Sequence, residues 1–347
     1  MRFGIGCLYF TVGPNCESPW QVAVEESLAS IPRVSDVEID LGVVLAQEAA
    51  AGVGYYPTRG MLRFRLHIPL DEQKELNGFI QHIAGTAEHF VVMVFFRYLE
   101  PVMFVLPQVS ASWRDTFSGV IVVRDYLQRE FSRRELPADI RVIGPTPFHA
   151  DSCVQLGDIE GDFELVRTPS KADDQFTFLY SDEQFSSPAM AAVMLFEVIS
   201  EELSLFYSLV SSRDDRRRES GEISLLTQNL ISIYQAKGFR AKMRRIFTSS
   251  MKIRQVALMT VNAEYRAQTD EQFARRQLDE LYSKGATPYF KDFIEGEVVA
   301  GTSQVTAAKE IVSLLDQARQ RQIEVTSLFL SAMAGGLAGT LASLLIH

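Results

Sequence analysis

Phe90-Val91-Val92-Met93-Val94-Phe95-Phe96 and Val102-Met103-Phe104-Val105-Leu106 are uncharged runs rich in valine and phenylalanine, separated by Arg97-Tyr98-Leu99-Glu100-Pro101. Side chains of this kind fit a pleated, buried surface, and proline interrupts a strand because it brings no ladder donor, so the runs read as a β-hairpin. Upstream, Leu62-Arg63-Phe64-Arg65-Leu66-His67-Ile68 alternates apolar with polar, the period of a strand with one solvated face. Phe3 to Val12 reads as a buried first strand. It does not read as a signal peptide, because glycines interrupt its apolar run and it reaches Pro14 and Asn15 without a small-residue cleavage site.

Downstream of the hairpin, Ile140 to Ile143, Cys153 to Leu156, Phe163 to Val166 and Phe176 to Tyr180 are short strand-like runs joined by Pro-, Gly- and Asp-rich turns. Helical periodicity lies between strands: Ser18 and Pro19 predict a helix opening that runs through Ile31, and Ser112 to Glu135 predicts another. The whole predicts an α+β domain over residues 1–185 with a mostly antiparallel mixed sheet.

From Ser187-Pro188 onward the β-rich runs stop. A helix is expected from Pro188 to about Ser212, with Val193, Phe196, Leu203, Phe206 and Val210 on its apolar face, followed by a charged run from Asp214 to Glu219 that reads as a solvated turn or a helix extension. Further helices are expected over Glu222 to Ala236, Ala241 to Tyr282 and from Ser303 on, with Gly285 to Gly301, which contains Pro288, as an irregular break. Residues 186–324 thus read as a helical domain or stalk, and residues 325–347 as a separate C-terminal helix.

That last segment, Val325 to Ile346, carries no Asp, Glu, Lys or Arg, and 22 residues at 1.5 Å each reach about 33 Å, enough for a bilayer core. It predicts one membrane-spanning helix, a tail anchor. Arg319 and Arg321 before it, with only His347 after it, place the N-terminal body in the cytoplasm and the protein at the inner or cytoplasmic membrane. Ser331, Gly335, Gly339 and Ser343 recur every fourth position, a small-residue stripe that predicts homo-oligomerisation through this helix. Val305, Ala308, Val312 and Leu315 are spaced like a coiled-coil seam, which also fits packing against the chain's own helices.

The 347 residues carry a net charge of −10, with 15 Lys/Arg against 26 Asp/Glu in residues 1–185 and 19 against 18 after them. An acidic front half gives no strong nucleic-acid signal, since affinity for a polyanion comes mainly from neutralising phosphates. Cys7, Cys16 and Cys153 are too few and too scattered for a disulfide framework or a zinc spacing.

Two constellations stand out as candidate sites. Lys237, Arg240, Lys242, Arg244, Arg245, Lys252 and Arg254 put seven cations and no acid into 18 residues, which suits anionic headgroups or a small anionic ligand, and equally a solvated helix face that pairs with acidic surface. In Gly144-Pro145-Thr146-Pro147-Phe148-His149-Ala150-Asp151-Ser152-Cys153, the residues His149, Asp151 and Cys153 stand on alternate positions. On a strand they would share a face and form a weak candidate for acid-base chemistry, a structural turn being the plainer reading. Paired acids such as Asp173-Asp174 and Glu201-Glu202 read as solvated, and His67, His82 and His89 form no recognisable metal array. No phosphate-binding loop, zinc-protease helix or nucleophile elbow is present, Gly4-Ile5-Gly6 lacks the third glycine of a dinucleotide fingerprint, and no cofactor is named by the residues.

These readings converge on a membrane-anchored, oligomeric cytoplasmic sensor, effector or scaffold that couples a ligand or partner to the membrane, with altered permeability as one output. The layout of an α/β domain followed by long helices resembles CorA-type metal-ion channels in architecture, which implies an ion channel or transporter as a second class. The pattern departs from that family, which has two spans and a Gly-Met-Asn signature, whereas Gly60-Met61 is followed here by Leu62. A membrane-tethered enzyme is the third class.

Overall fold

The computed structural model describes residues 1–13, 18–41, 57–76, 87–97, 99–108, 119–143, 147–148, 152–169, 174–236, 238–283, 285, 287–299, 307–321, 323–324, 327–328 and 331, with side chains throughout except at 239–249 and 299. The chain divides into two compact units, one of Met1–Ser211 with Gln277–Glu297 and one of Ser212–Arg276 with Val298–His347.

The first unit is built on a mixed sheet. Its strands are β1 (Arg2–Val12), β2 (Val34–Leu41), β3 (Gly60–His67), β4 (His89–Phe96), β5 (Val102–Pro107), β6 (Ala138–Ile143), β7 (Ser152–Leu156), β8 (Phe163–Thr168) and β9 (Gln175–Tyr180). Their order is β2-β3-β4-β5-β1-β7-β9-β8, with β6 also pairing β1. All described pairings are antiparallel except β7 with β9, where Cys153 stands opposite Thr177. The expected hairpin is present, with Val92 opposite Val105 and Val94 opposite Met103.

The uninterrupted hydrophobicity of β1, β4 and β5 has a direct cause: both faces are covered. Leu8, Phe10 and Val12 of β1, Val92 and Val94 of β4, and Met103 and Val105 of β5 face a core shared with helices α1 (Trp20–Ser30) and α3 (Gly119–Arg133). The opposite pleat carries Phe3 and Phe104, which pack on Phe196 of the next helix, the Phe104 and Phe196 rings stacking at 4.1 Å, and Phe95, which meets the Phe104 ring edge-on. β3 lies where one face is open, so Leu62, Phe64 and Leu66 are buried while Arg63 and Arg65 pair outward with Glu38 and Asp36. Polar anchors fix α1. The Trp20 indole donates to the Phe10 carbonyl at 2.8 Å, and buried Ser27 accepts from the Ala138 amide at 3.0 Å.

Gly4 and Gly6 sit where α3 begins. A Cβ on Gly4 would collide with a γ-methyl of Val120, and one on Gly6 would lie 2.9 Å from the other, so these glycines let helix and strand touch. A short helix α2 (Leu70–Leu76) is held by Gln73, whose amide donates to the Ile68 and Ala87 carbonyls, and by Glu72, which pairs with Arg33 and Arg129.

Helix α4 (Pro188–Gln235) runs 48 residues and α5 (Phe239–Ser283) 45, followed by α6 (Lys291–Val299) and helical residues 307–321. The charged run Asp214–Glu219 is thus a helix extension. The early buried face of α4 comprises Ala192, Leu195, Phe196, Ile199, Leu203 and Phe206, and Val193 is exposed beside it, not on it as expected. α6 falls inside the stretch expected to be irregular.

Among the described residues the second unit packs three helical segments together. Ile223 and Leu230 of α4, Ile253, Val256 and Ala263 of α5, and Ala308 and Val312 of the last segment form its core, with Leu315 packed against it. The spacing of Ala308, Val312 and Leu315 is therefore used inside the chain, which corrects the coiled-coil expectation for the segment; Val305 lies outside the described residues. Arg216 pairs with Asp270 at 2.9 Å and Lys309 with Glu264 at 2.7 Å across the same helices.

Among the described residues no helix is long and apolar enough to cross a membrane. α4 and α5 have the length, but carry charged residues along it. The expected tail anchor, its single-pass topology and the inner-membrane, cytoplasm-facing address are withdrawn on that finding. Of Val325 to Ile346 only Ser327, Leu328 and Ser331 are among the described residues, and all three are exposed. Arg319, expected to orient a span, faces Asp316 at 3.7 Å.

Candidate functional site

Where the β4–β5 hairpin of the first unit meets α4 and the last turns of α5, a cleft of about 200 Å³ opens. Arg97 and Leu99 line it from the hairpin, Glu201, Ser204 and Leu205 from α4, and Gln277, Glu280 and Leu281 from α5. The residues that read only as a proline-stopped turn supply the one guanidinium among its described lining residues.

Arg97 is held on several sides. Its Nε donates to Ser200 Oγ at 2.9 Å, its Nη1 donates to the Phe96 carbonyl at 3.2 Å, and its guanidinium lies 5.3 Å from the Phe95 ring centroid. Burial pulls its pKa below the ordinary arginine value, while Glu197 and Glu201 oppose that shift, and its ordinary value is so high that the group stays cationic. The Glu100 amide donates to Ser204 Oγ at 2.9 Å, tying the hairpin turn to α4. The cleft thus offers one fixed cation, the carboxylates of Glu201 and Glu280, and the Gln277 amide, between apolar walls of Leu99, Leu205 and Leu281.

Beside it lies a carboxylate of a different kind. Glu202 is 2% exposed and accepts the backbone N–H groups of Phe290 at 2.7 Å and Tyr289 at 3.1 Å, just ahead of α6. A carboxylate on the unsatisfied amides at a helix start is favourable, yet burial is the larger effect and pushes its pKa up to about 7. The segment it holds is locked further by aromatics: Phe290 packs on Phe148, Phe176 and Phe178, and Arg167 lies 4.6 Å from the Phe293 ring centroid. The nearby Tyr282 hydroxyl is pushed up by burial and then by Glu202, Glu295 and Asp292. Glu202 is a latch for α6, whereas Glu201 faces the cleft. The expectation that both are solvated holds for Glu201 alone, and the signal was available: position 202 is three residues from Ile199 and four from Phe206, both on the buried face.

Of the residues singled out in the sequence, Cys153 is buried in β7 and its thiol donates to Thr177 Oγ1 at 3.3 Å. His149 and Asp151 lie outside the described residues. So do the side chains of Lys237, Arg240, Lys242, Arg244 and Arg245, while Lys252 is half-buried and Arg254 exposed on α5. In the C-terminal stripe Ser331 is exposed, and Gly335, Gly339 and Ser343 lie outside the described residues. His67 and His89 stand opposite each other on β3 and β4 with rings stacked at 4.4 Å; His82 lies outside the described residues.

No protein-family model, curated protein or solved structure matches the chain.

Proposed function

We propose that the protein is a sensor or effector in which the cleft at Arg97 takes a small amine-bearing ligand and α4 and α5 carry the bound state into the helical unit. The observation that supports this reading is that the cleft is lined by the same two helices that build the second unit's core. Glu201 and Ser204 of α4 and Gln277 and Glu280 of α5 line it, while Ile223 and Leu230 of α4 and Ile253 and Val256 of α5 pack together further along the chain. A ligand that bridges the cleft walls changes the relation between two helices, which is a differential contact of the sort a conformational response requires.

Size and charge narrow the ligand. About 200 Å³ is below the ~300–1,000 Å³ of drug-sized pockets, so the occupant is the size of a free amino acid or a diamine. The exposed Glu201 carboxylate suits a cationic head, with the Arg97 guanidinium beside it to take a carboxylate on the same molecule. The test is thermal unfolding of the full chain titrated with lysine, arginine and putrescine. At least one should raise the midpoint, and Glu201→Gln, at an exposed position that leaves folding intact, should weaken its affinity by about tenfold or more. A flat response of the wild type to all three compounds would sink the proposal.

A further inference from the structure

His67 ends β3 and His89 begins β4, and the two stand directly opposite each other. The backbone around them decides what kind of pair they form. The His67 N–H donates to the Arg33 carbonyl and the His89 carbonyl accepts from Gln108, each away from the other, while the Ile68 N–H donates to the Glu88 carbonyl at 2.7 Å one step further on. This is a non-hydrogen-bonded antiparallel pair, the kind in which opposite side chains lie closest. Both imidazoles stand on the same side of the sheet, with ring planes 11° from parallel and centroids 4.4 Å apart. His67 is half-buried and His89 exposed, so an ion in solution reaches both.

Packing alone does not call for imidazoles here, since two phenylalanines would stack as well and bury more apolar surface. What the imidazoles add is a nitrogen lone pair on each of two rings held by adjacent strands. Two nitrogens bound to one tetrahedral metal ion, at about 2.0–2.1 Å each, lie about 3.3 Å apart, so a small turn of the rings about their side-chain torsions brings both onto one ion without moving the backbone. Charge favours a cation at this place. Glu88 Oε2 lies 3.9 Å from His67 Nε2, and its other carboxylate oxygen is held by the Leu70 amide at 2.9 Å. Arg65, two residues back on the same face of β3, is engaged by Asp36 at 3.1 Å, and the Arg33 guanidinium is engaged by Glu72.

We propose that His67 and His89 form a cross-strand chelate for one divalent late-transition-metal ion, of the class of Zn²⁺, Ni²⁺ and Cu²⁺. Imidazole nitrogens suit these ions, whereas Mg²⁺ and Ca²⁺ take oxygen ligands. Among the described residues no three His, Cys, Asp or Glu side chains already converge on one point, so the pair fills two positions of the shell and water fills the others. Bound there, the ion ties the end of β3 to the start of β4. This inference is independent of the cleft at Arg97.

Calorimetric titration of the full chain with zinc chloride, with magnesium chloride as the control, tests it. Zn²⁺ binds and Mg²⁺ does not. His67→Phe and His89→Phe, which keep a stacked ring and remove the nitrogens, each weaken Zn²⁺ affinity by at least about 10-fold with the circular dichroism unchanged. A second reading uses the wild type alone: Zn²⁺ protects His67 and His89 from carbethoxylation by diethylpyrocarbonate, mapped residue by residue by mass spectrometry. No Zn²⁺ binding by the wild type up to about 1 mM, an affinity that both Phe variants retain, or histidine protection that leaves out His67 and His89 overturns the inference.

Discussion

Glu202 shows how one buried carboxyl links sequence, packing and pH. Its pKa is raised to about 7 in the fold, against 4.5 for an ordinary glutamate, because burial outweighs the two amides that favour the charged form. For a raised pKa the folded state holds the proton longer than the unfolded chain, so the contribution is full below about pH 4.5 and is lost as pH rises through 7. A shift of this size corresponds to about 3 kcal/mol. Urea melts of Glu202→Gln and wild type at pH 5 and pH 8 should therefore show the wild type losing ground to the variant as pH rises; parallel pH profiles would remove the assignment. Gly4 makes a steric prediction at the same scale. Gly4→Ala drives a methyl into Val120 at the start of α3, and overpacking of this sort costs about 1–3 kcal/mol, read as a lower urea midpoint. Position 202 was legible from its place on the buried face of α4. Arg97 was not, because nothing local distinguishes an arginine in a hairpin turn that faces solvent from one that meets two helices distant in sequence.

Among the elements, legibility followed the regularity of the pattern. The hairpin β4–β5 and the alternating β3 were plain because each repeats one period without a break. β2 went unread, since the spacing of Val34, Val37, Ile39 and Leu41 shifts phase at a register irregularity between Ser35 and Glu38, where Asp36 adopts a left-handed backbone angle, as does Arg33 just ahead of the strand. α2 is seven residues long and depends on Gln73 and Glu72 reaching outside the helix, which periodicity does not report. The 48-residue α4 looked divisible at Asp214–Glu219 and Gly221, yet no proline interrupts it, and Arg216 is placed to pair with Asp270 of α5. Gly221 lies inside this helix with open space where a Cβ would go, so Gly221→Ala should stabilise the protein by about 1 kcal/mol, measured by urea unfolding. An unchanged or lower midpoint would show that the helix needs this weak point.

At the scale of the whole molecule, an α+β unit with a mixed sheet was readable because its strands are many, short and separated by turn residues. The division into units was less so, since α4 and α5 each contribute to both and the stretch Gln277–Glu297 belongs with the residues before Ser212. The membrane address read from Val325 to Ile346 rested on length and lack of charge, with Gly, Ala and Ser diluting its hydrophobicity, and no described helix meets the requirement for a span. The account that replaces it turns on α4 and α5 joining a polar cleft to a helical core. Hydrogen exchange on the full chain, with and without whichever of lysine, arginine or putrescine raises the unfolding midpoint, measures this directly. The account predicts slower exchange both around Arg97 and in the segments of α4 and α5 between residues 223 and 263, with both effects lost in Arg97→Ala. Protection confined to the cleft, with no change over 223–263, would contradict it.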